Sequence, residues 1–286
     1  EGSSHYHALL GANYSQCAKA AADIKRPEAV ALTTIAHRAR IIAGCLKLPG
    51  GFPLIGDISP DLPPQSTLHA LAVTENRDAQ ALAENGWYRL DSGPWSGLWH
   101  VSPSGFSHMP GHGHQDCGSF ELHFKDQPVF IDPGRGSYGE SGEAAQYRSG
   151  KVHNTLLIDN ADPYPANKPY YNDAFRRQIA GPPPEVEQDP ESIRLSHDGF
   201  KRLKNVGTLC RHWHFSSTTM TLNDSVEGSR NHHLSRFLVT PLDVSQSSYG
   251  VELRGEDIAF SLSADGDITV EPITRWIAYG RGQPAT

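Results

Sequence analysis

The sequence predicts an α+β protein, with a helical N-terminal part followed by antiparallel β-sheets stacked as in a β-sandwich. Two observations carry this. Ala- and Leu-rich stretches with apolar residues at helical spacing fill the first part of the chain. From about Gly86 the texture changes to short β-prone runs separated by Gly, Asn, Asp and Pro clusters. The change divides the chain into residues 1–84 and 85–286.

Within the first part, HALLGANYSQCAKAAADI (His7–Ile24) and EAVALTTIAHRARIIAGCLKL (Glu28–Leu48) read as helices, the second with Ile35, Ala39, Ile42 and Leu46 on one stripe. Pro27 precedes the second, where a proline is tolerated, and Pro49-Gly50-Gly51 ends it. A proline-broken connection, Phe52–Ser66, leads to a further short helical stretch over roughly Ser66–Ala83. In the second part the clearest strand is Phe120–Phe124. Phe120, Leu122 and Phe124 fall on one face and Glu121, His123 and Lys125 on the other, the pattern of a half-buried antiparallel strand. Val129–Ile131 and Thr155–Ile158 are expected to follow it, each paired with the one before. Gly181–Ser192 is a polar, proline-rich loop, and the chain has no internal repeat.

The net charge of −7 argues against a nucleic-acid partner, which requires clustered cations to replace phosphate counterions. An acidic sugar remains compatible, because a cleft needs only a few local cations. Cys17, Cys45, Cys117 and Cys210 have no metal-knuckle or disulfide spacing. No apolar run is expected to reach membrane-spanning length, and no signal peptide opens the chain at Glu1.

Chemistry-bearing residues gather in GHGHQDCGSFELHFKDQPVFIDPG (Gly111–Gly134). With three strands pairing in turn, His114 before the first, Asp132 after the second and His153 before the third would meet at one sheet edge. Two imidazoles and a carboxylate suit Zn²⁺. The plainer reading is three polar residues at strand ends. His112 shares the face of His114 on an extended segment and is placed to hold a substrate acid or move a proton, or else is a loop histidine between glycines. Tyr147, Arg148 and Lys151 precede His153; the cations Arg148 and Lys151 could receive an anionic substrate, or the segment is a solvated loop. His108 reads only as a loop residue. His212 and His214 share a face opposite Trp213 and carry no assigned role.

Taken together, HGHQDCGSFELHFKDQPVFIDPG followed by YRSGKVHNT closely resembles the heparinase II/III-like polysaccharide lyases, which include heparinases and alginate lyases. The resemblance implies an (α/α) toroid joined to a stacked antiparallel β-sheet region, with the active site between them. EGSSHYH (Glu1–His7) is similar to the toroid segment that carries a catalytic tyrosine, and FPLIGD (Phe52–Asp57) to the toroid's end. Carried over by position, the resemblance implies zinc held by His114, Asp132 and His153, with His112 and Tyr6 as catalytic residues. Tyr138 and Tyr147 lie where the family has aromatic and cleft residues, and with the cation Arg148 they make the expected substrate-binding set. The implied reaction is β-elimination on a uronic-acid-containing polysaccharide or oligosaccharide. A base removes the C5 proton, made acidic by a neutralised carboxylate, and an acid protonates the departing O4. Zinc would shape the site, since no water is added.

The family carries further toroid helices before EGSSHYH and further strands after YGRGQPAT (Tyr279–Thr286), so the chain reads as an internal piece of a larger lyase. A homodimer and a periplasmic or secreted location are further expectations. Two other functions stay open here. One is a non-catalytic carbohydrate-binding sandwich. The other is a zinc hydrolase, because His112–Asp116 spells HxHxD, although Cys117 stands where that signature has a histidine.

Overall fold

The computed structural model describes residues 2–58, 63–74, 76, 78–102, 113–139, 141–164, 182–229 and 231–286. Its helical part opens with α1 (Ser4–Asp23), started by the Ser3 hydroxyl, which accepts from the Tyr6 amide. α2 (Ala29–Leu46) packs against α1. Small residues let the helices approach: Ala8, Ala12 and Ala43 are buried there with Leu71. The expected helix over Ser66–Ala83 is two helices, α3 (Pro64–Leu71) and α4 (Ala79–Ala83). The chain leaves α3 at Ala72, which adopts a left-handed conformation (φ 52°) that no helix continues through.

Contrary to the expectation that no apolar run reaches such length, α2 is long and apolar enough to cross a membrane, by length and composition only. A core helix passes the same test. Here its C-terminal end, Cys45 and Leu46, is buried with Leu48, Ile55, Leu82, Trp87 and Leu98, which joins the helices to the first sheet.

That sheet is antiparallel in the order β1 (Trp87–Ser92), β2 (Trp95–His100), β3 (Ser119–Phe124), β4 (Gln127–Phe130). After β5 (Leu156–Ile158) comes a second four-stranded sheet: β6 (Glu185–Asp189), β7 (Ser192–His197), β8 (Val206–Phe215) and β9 (Met220–Gly228). β10 (Leu234–Arg236) precedes a three-stranded sheet, β11 (Asp243–Ser247), β12 (Gly250–Arg254) and β13 (Ala259–Leu262). A hairpin of β14 (Ile273–Ala278) and β15 (Arg281–Ala285) follows.

One core lies between these sheets: Trp95, Trp99, Phe120, Leu122 and Phe130 from the first, Ile193, Leu195, Trp213 and Phe215 from the second, and Val251 and Leu253 from the third. Trp99 and Trp213 meet edge to face at 5.7 Å. The arrangement is a mixture of helices and stacked antiparallel sheets. A closed ring of helices is not among the described residues.

Two strand expectations are corrected. β3 is buried on both faces, not half-buried. The segment after α2 covers its polar face, where the Gly50 amide donates to His123 Nδ1 at 3.0 Å, and Glu121 accepts from the Asp132 amide at 3.3 Å. Lys125 lies outside the strand, in the turn to β4 with φ 55°. Second, β5 pairs with β10 and not with β4. The Asn154 side chain spans the gap instead: its amide donates to the Phe120 and Ile131 carbonyls at 2.6 and 2.9 Å, and its oxygen accepts from the Val239 amide at 2.6 Å.

Candidate functional site

The site forms where the start of α1, the segment ending at Asp57 and the loops flanking β3, β4 and β5 converge. α1 is stitched to that segment by short polar contacts: Ser3 Oγ donates to the Asp57 carbonyl and Ser4 Oγ to that of Pro53, both at 2.6 Å. Gly56, with φ 79°, permits the close approach, since a Cβ there would strike the Gly2 carbonyl. Tyr6 is thereby held at the mouth of the site and Asp57 at its floor.

The three expected metal ligands do come together, although β4 and β5 do not pair. His114, Asp132 and His153 are all buried, and the rings of His114 and His153 lie 5.1 Å apart. His153 Nε2 sits 3.2 Å from the Tyr147 carbonyl, which can only accept, so this nitrogen carries a hydrogen. Its Nδ1 faces Asp132 Oδ2 at 2.8 Å, and two electron-rich atoms so close require a positive charge between or beside them. Burial opposes a charge on His153, yet the carboxylates of Asp132 and Asp116 outweigh it and raise the pKa to about 9. In the metal-free protein that charge is a proton.

His114 Nε2 donates to Asp57 Oδ1 at 2.9 Å, and Asp57 also accepts from Arg135 Nη1 at 3.1 Å. A carboxylate behind a histidine fixes its ring and raises the basicity of the other nitrogen. That other nitrogen, His114 Nδ1, is buried without a hydrogen-bond partner. Among the described residues no group of three or more His, Cys, Asp or Glu side chains is arranged to hold a metal ion, so the case for one rests on residue chemistry. The donor set fits zinc in its chemistry: a carboxylate, an imidazole whose Nδ1 demands a cation, and an imidazole with an unused, oriented nitrogen.

The sequence reading missed several members. Arg135 is buried, donates to the Ala144 and Gly139 carbonyls, and lies over the Tyr138 ring at 5.2 Å. Behind the histidines, Asp116 lies 3.1 Å from His100, both fully buried. Burial opposes its charge, but His100, with His153 and His114 nearby, holds the carboxyl at about 2. Asp116 is the aspartate of the HxHxD pattern, whose spacing gives no sign of its pairing with His100. Asp57 ended FPLIGD without suggesting a role, because its partners lie 57 and 78 positions away.

Tyr6 and Tyr138 meet hydroxyl to hydroxyl at 2.6 Å. Burial, and then the bond from Tyr6, push the Tyr138 pKa up, so this phenol stays protonated. Tyr147 is buried; its hydroxyl donates to the Thr274 carbonyl at 3.0 Å and is committed there. Arg148 is partly buried, and its carbonyl accepts from the Gln115 amide at 2.9 Å, next to His114. His112 and His108 lie outside the described residues. His212 and His214 face away from the core that holds Trp213. The assembled site is a buried Asp–His–Arg network with a pair of accessible phenols above it.

The whole fold is shared with known structures. A heparinase III gene product is 17% identical with a TM-score of 0.69, covering 100% of this chain and 48% of its own. Heparan sulfate lyase HepC from Pedobacter heparinus is 17% identical with a TM-score of 0.67, covering 100% and 49%. A further heparinase III is 16% identical with a TM-score of 0.63, covering 98% and 50%. The chain therefore spans about half the length of these structures. No curated protein matches it. Residues 74–286, well over half of the chain, match the family described as heparinase II/III-like, C-terminal. By that match, the chain belongs to the heparinase II/III-like family and carries its C-terminal region.

Proposed function

We propose that the protein is a polysaccharide lyase that cleaves uronic-acid-containing chains by β-elimination, and that α1 to α4 are the end of an (α/α) toroid. The observation that carries this is the Tyr6–Tyr138 hydroxyl pair, beside a buried network of Asp57, His114 and Arg135 in a chain of this family. In the reaction the C5–H bond breaks to a base, the C4–O4 bond breaks with O4 taking a proton, and a C4–C5 double bond remains. Tyr138, held protonated, shares a hydrogen bond with the Tyr6 hydroxyl, and Tyr6 is the member that exchanges a proton with the sugar. His112 completes the proton handling, and Arg148 receives the anionic chain. Arg135 and Asp57 keep the Tyr138 ring and the His114 imidazole in register.

His114, Asp132 and His153 would hold Zn²⁺, and the ion would supply the fixed positive charge that organises the pocket. The substrate class, a homodimeric assembly and a periplasmic or secreted location belong to the same proposal. HepC, a heparan sulfate lyase, points to heparan sulfate as a candidate substrate.

The test uses the protein in its longest natural form with alginate, heparan sulfate, hyaluronan and related polymers. The expected result is a rise in ultraviolet absorbance from the new double bond with at least one of them, abolished by His112→Ala with folding and metal content retained. Chain shortening without that absorbance would mean hydrolysis. Sugar binding without any cleavage would favour a non-catalytic module.

A further inference from the structure

The segment that carries Tyr138 is fastened to the β14–β15 hairpin at successive points. The Trp276 amide donates to the Pro133 carbonyl at 2.8 Å, and the Gly280 amide to that of Gly136 at 2.9 Å. Gly136 has no room for a Cβ because the Trp276 indole lies against it. At the hairpin's turn, the Tyr279 hydroxyl oxygen accepts from the Tyr138 amide at 3.3 Å. The two rings lie 5.9 Å apart at 30°, so Tyr279 backs Tyr138 on its ring as well as its backbone. Tyr147 anchors the hairpin's base, exchanging hydrogen bonds with Thr274 and packing edge-on to Trp276 at 5.8 Å.

We propose that Tyr279 is a positioning residue of this site: it fixes the backbone and ring of Tyr138 so that the Tyr138 hydroxyl stays on Tyr6. The inference rests on the reading of Tyr6 and Tyr138 as the proton-handling pair. It follows from degrees of freedom. Tyr138 is 40% exposed, and a half-exposed phenol swings freely unless its backbone and one ring face are held. Arg135 lies over the Tyr138 ring and Tyr279 flanks it from the hairpin. The Tyr279 ring is itself accessible at the turn, so its hydroxyl can be removed without disturbing a core.

The test compares Tyr279→Phe, which keeps the ring and loses the acceptor, with Tyr279→Ala, which loses both. Amide hydrogen exchange at Tyr138 is read in each, beside kcat, KM and the pH profile of kcat. In Tyr279→Phe, exchange at Tyr138 should speed up and kcat fall about 2- to 10-fold, the size of one neutral hydrogen bond, with KM unchanged. Tyr279→Ala should lose more kcat, and its pH profile should shift because the Tyr6–Tyr138 bond is loosened. Unchanged exchange at Tyr138 overturns the proposal, and so does faster exchange with full kcat. A raised KM with kcat intact would make Tyr279 a sugar contact and not a positioning residue. If the unaltered protein forms no double bond on any polymer, the lyase reading fails by itself. The exchange rate then still decides whether Tyr279 holds Tyr138.

Discussion

At the scale of single residues, the site depends on side chains that act through one another. Asp57 turns His114 so that Nδ1 is the free nitrogen. Asp57→Asn keeps the shape and loses the charge, and zinc affinity should fall about 10- to 100-fold by competition with a chromogenic chelator. An unchanged affinity would remove Asp57 from the proposed zinc site. In the sandwich, His197 is buried against Tyr164 and Phe200. Burial, and then Arg211, lower its pKa to about 4, with Asp198 acting weakly the other way. Since this lies below the ordinary value of 6.5, the unfolded chain binds a proton between pH 6.5 and 4 that the folded chain refuses. Its contribution is therefore complete above pH 6.5 and is lost as pH falls toward 4, by at most ~1.4 kcal/mol per pH unit. His197→Asn preserves an acceptor for the Gly199 amide and cannot titrate. Its denaturation midpoint should decline less steeply with acid than that of the parent protein.

At the scale of elements, the alternation in β3 was legible because Phe120 and Leu122 point into the sandwich core. The burial of its other face was not. Glu121 and His123 look like solvent-facing residues until the Asp132 amide, 11 positions on, and the Gly50 amide, 73 positions back, arrive to satisfy them. The convergence of His114, Asp132 and His153 was also legible, but its expected cause, a β4–β5 ladder, was not the actual one. Asn154 does that work with a single amide, and no periodicity in a sequence announces a bridging side chain. Asn154→Ala should strand the Phe120 and Ile131 carbonyls and the Val239 amide together. The expected loss is ~3 kcal/mol or more in denaturant unfolding. A change below ~1 kcal/mol would mean that another group or water takes over.

At the scale of the whole molecule, the helices and the sandwich meet through an apolar seam, Cys45 to Leu98, and through the polar network around Asp57. Zinc at His114, Asp132 and His153 would strengthen the second of these, because Asp57 reaches the ligand set from the helical part. Chelation should therefore lower the thermal midpoint, and restored zinc should recover it, to an extent set by affinity and concentration. A midpoint indifferent to chelator and to added zinc would argue that the pocket is held by protons and hydrogen bonds alone.

The hairpin that holds Tyr138 has a consequence for biosynthesis. The bonds that assemble the phenol pair and its support bridge 132 positions from Tyr6 to Tyr138 and 141 from Tyr138 to Tyr279. A nascent chain leaves the ribosome from its N-terminus, so α1 and the sandwich strands can begin to pack long before β14 exists. The loop bearing Tyr138 must wait, without its clamp, for Tyr279 to emerge. Chains stalled before residue 273 should thus display a folded sandwich but a slack phenol pair, and the site should become competent only once Tyr279 has left the ribosome.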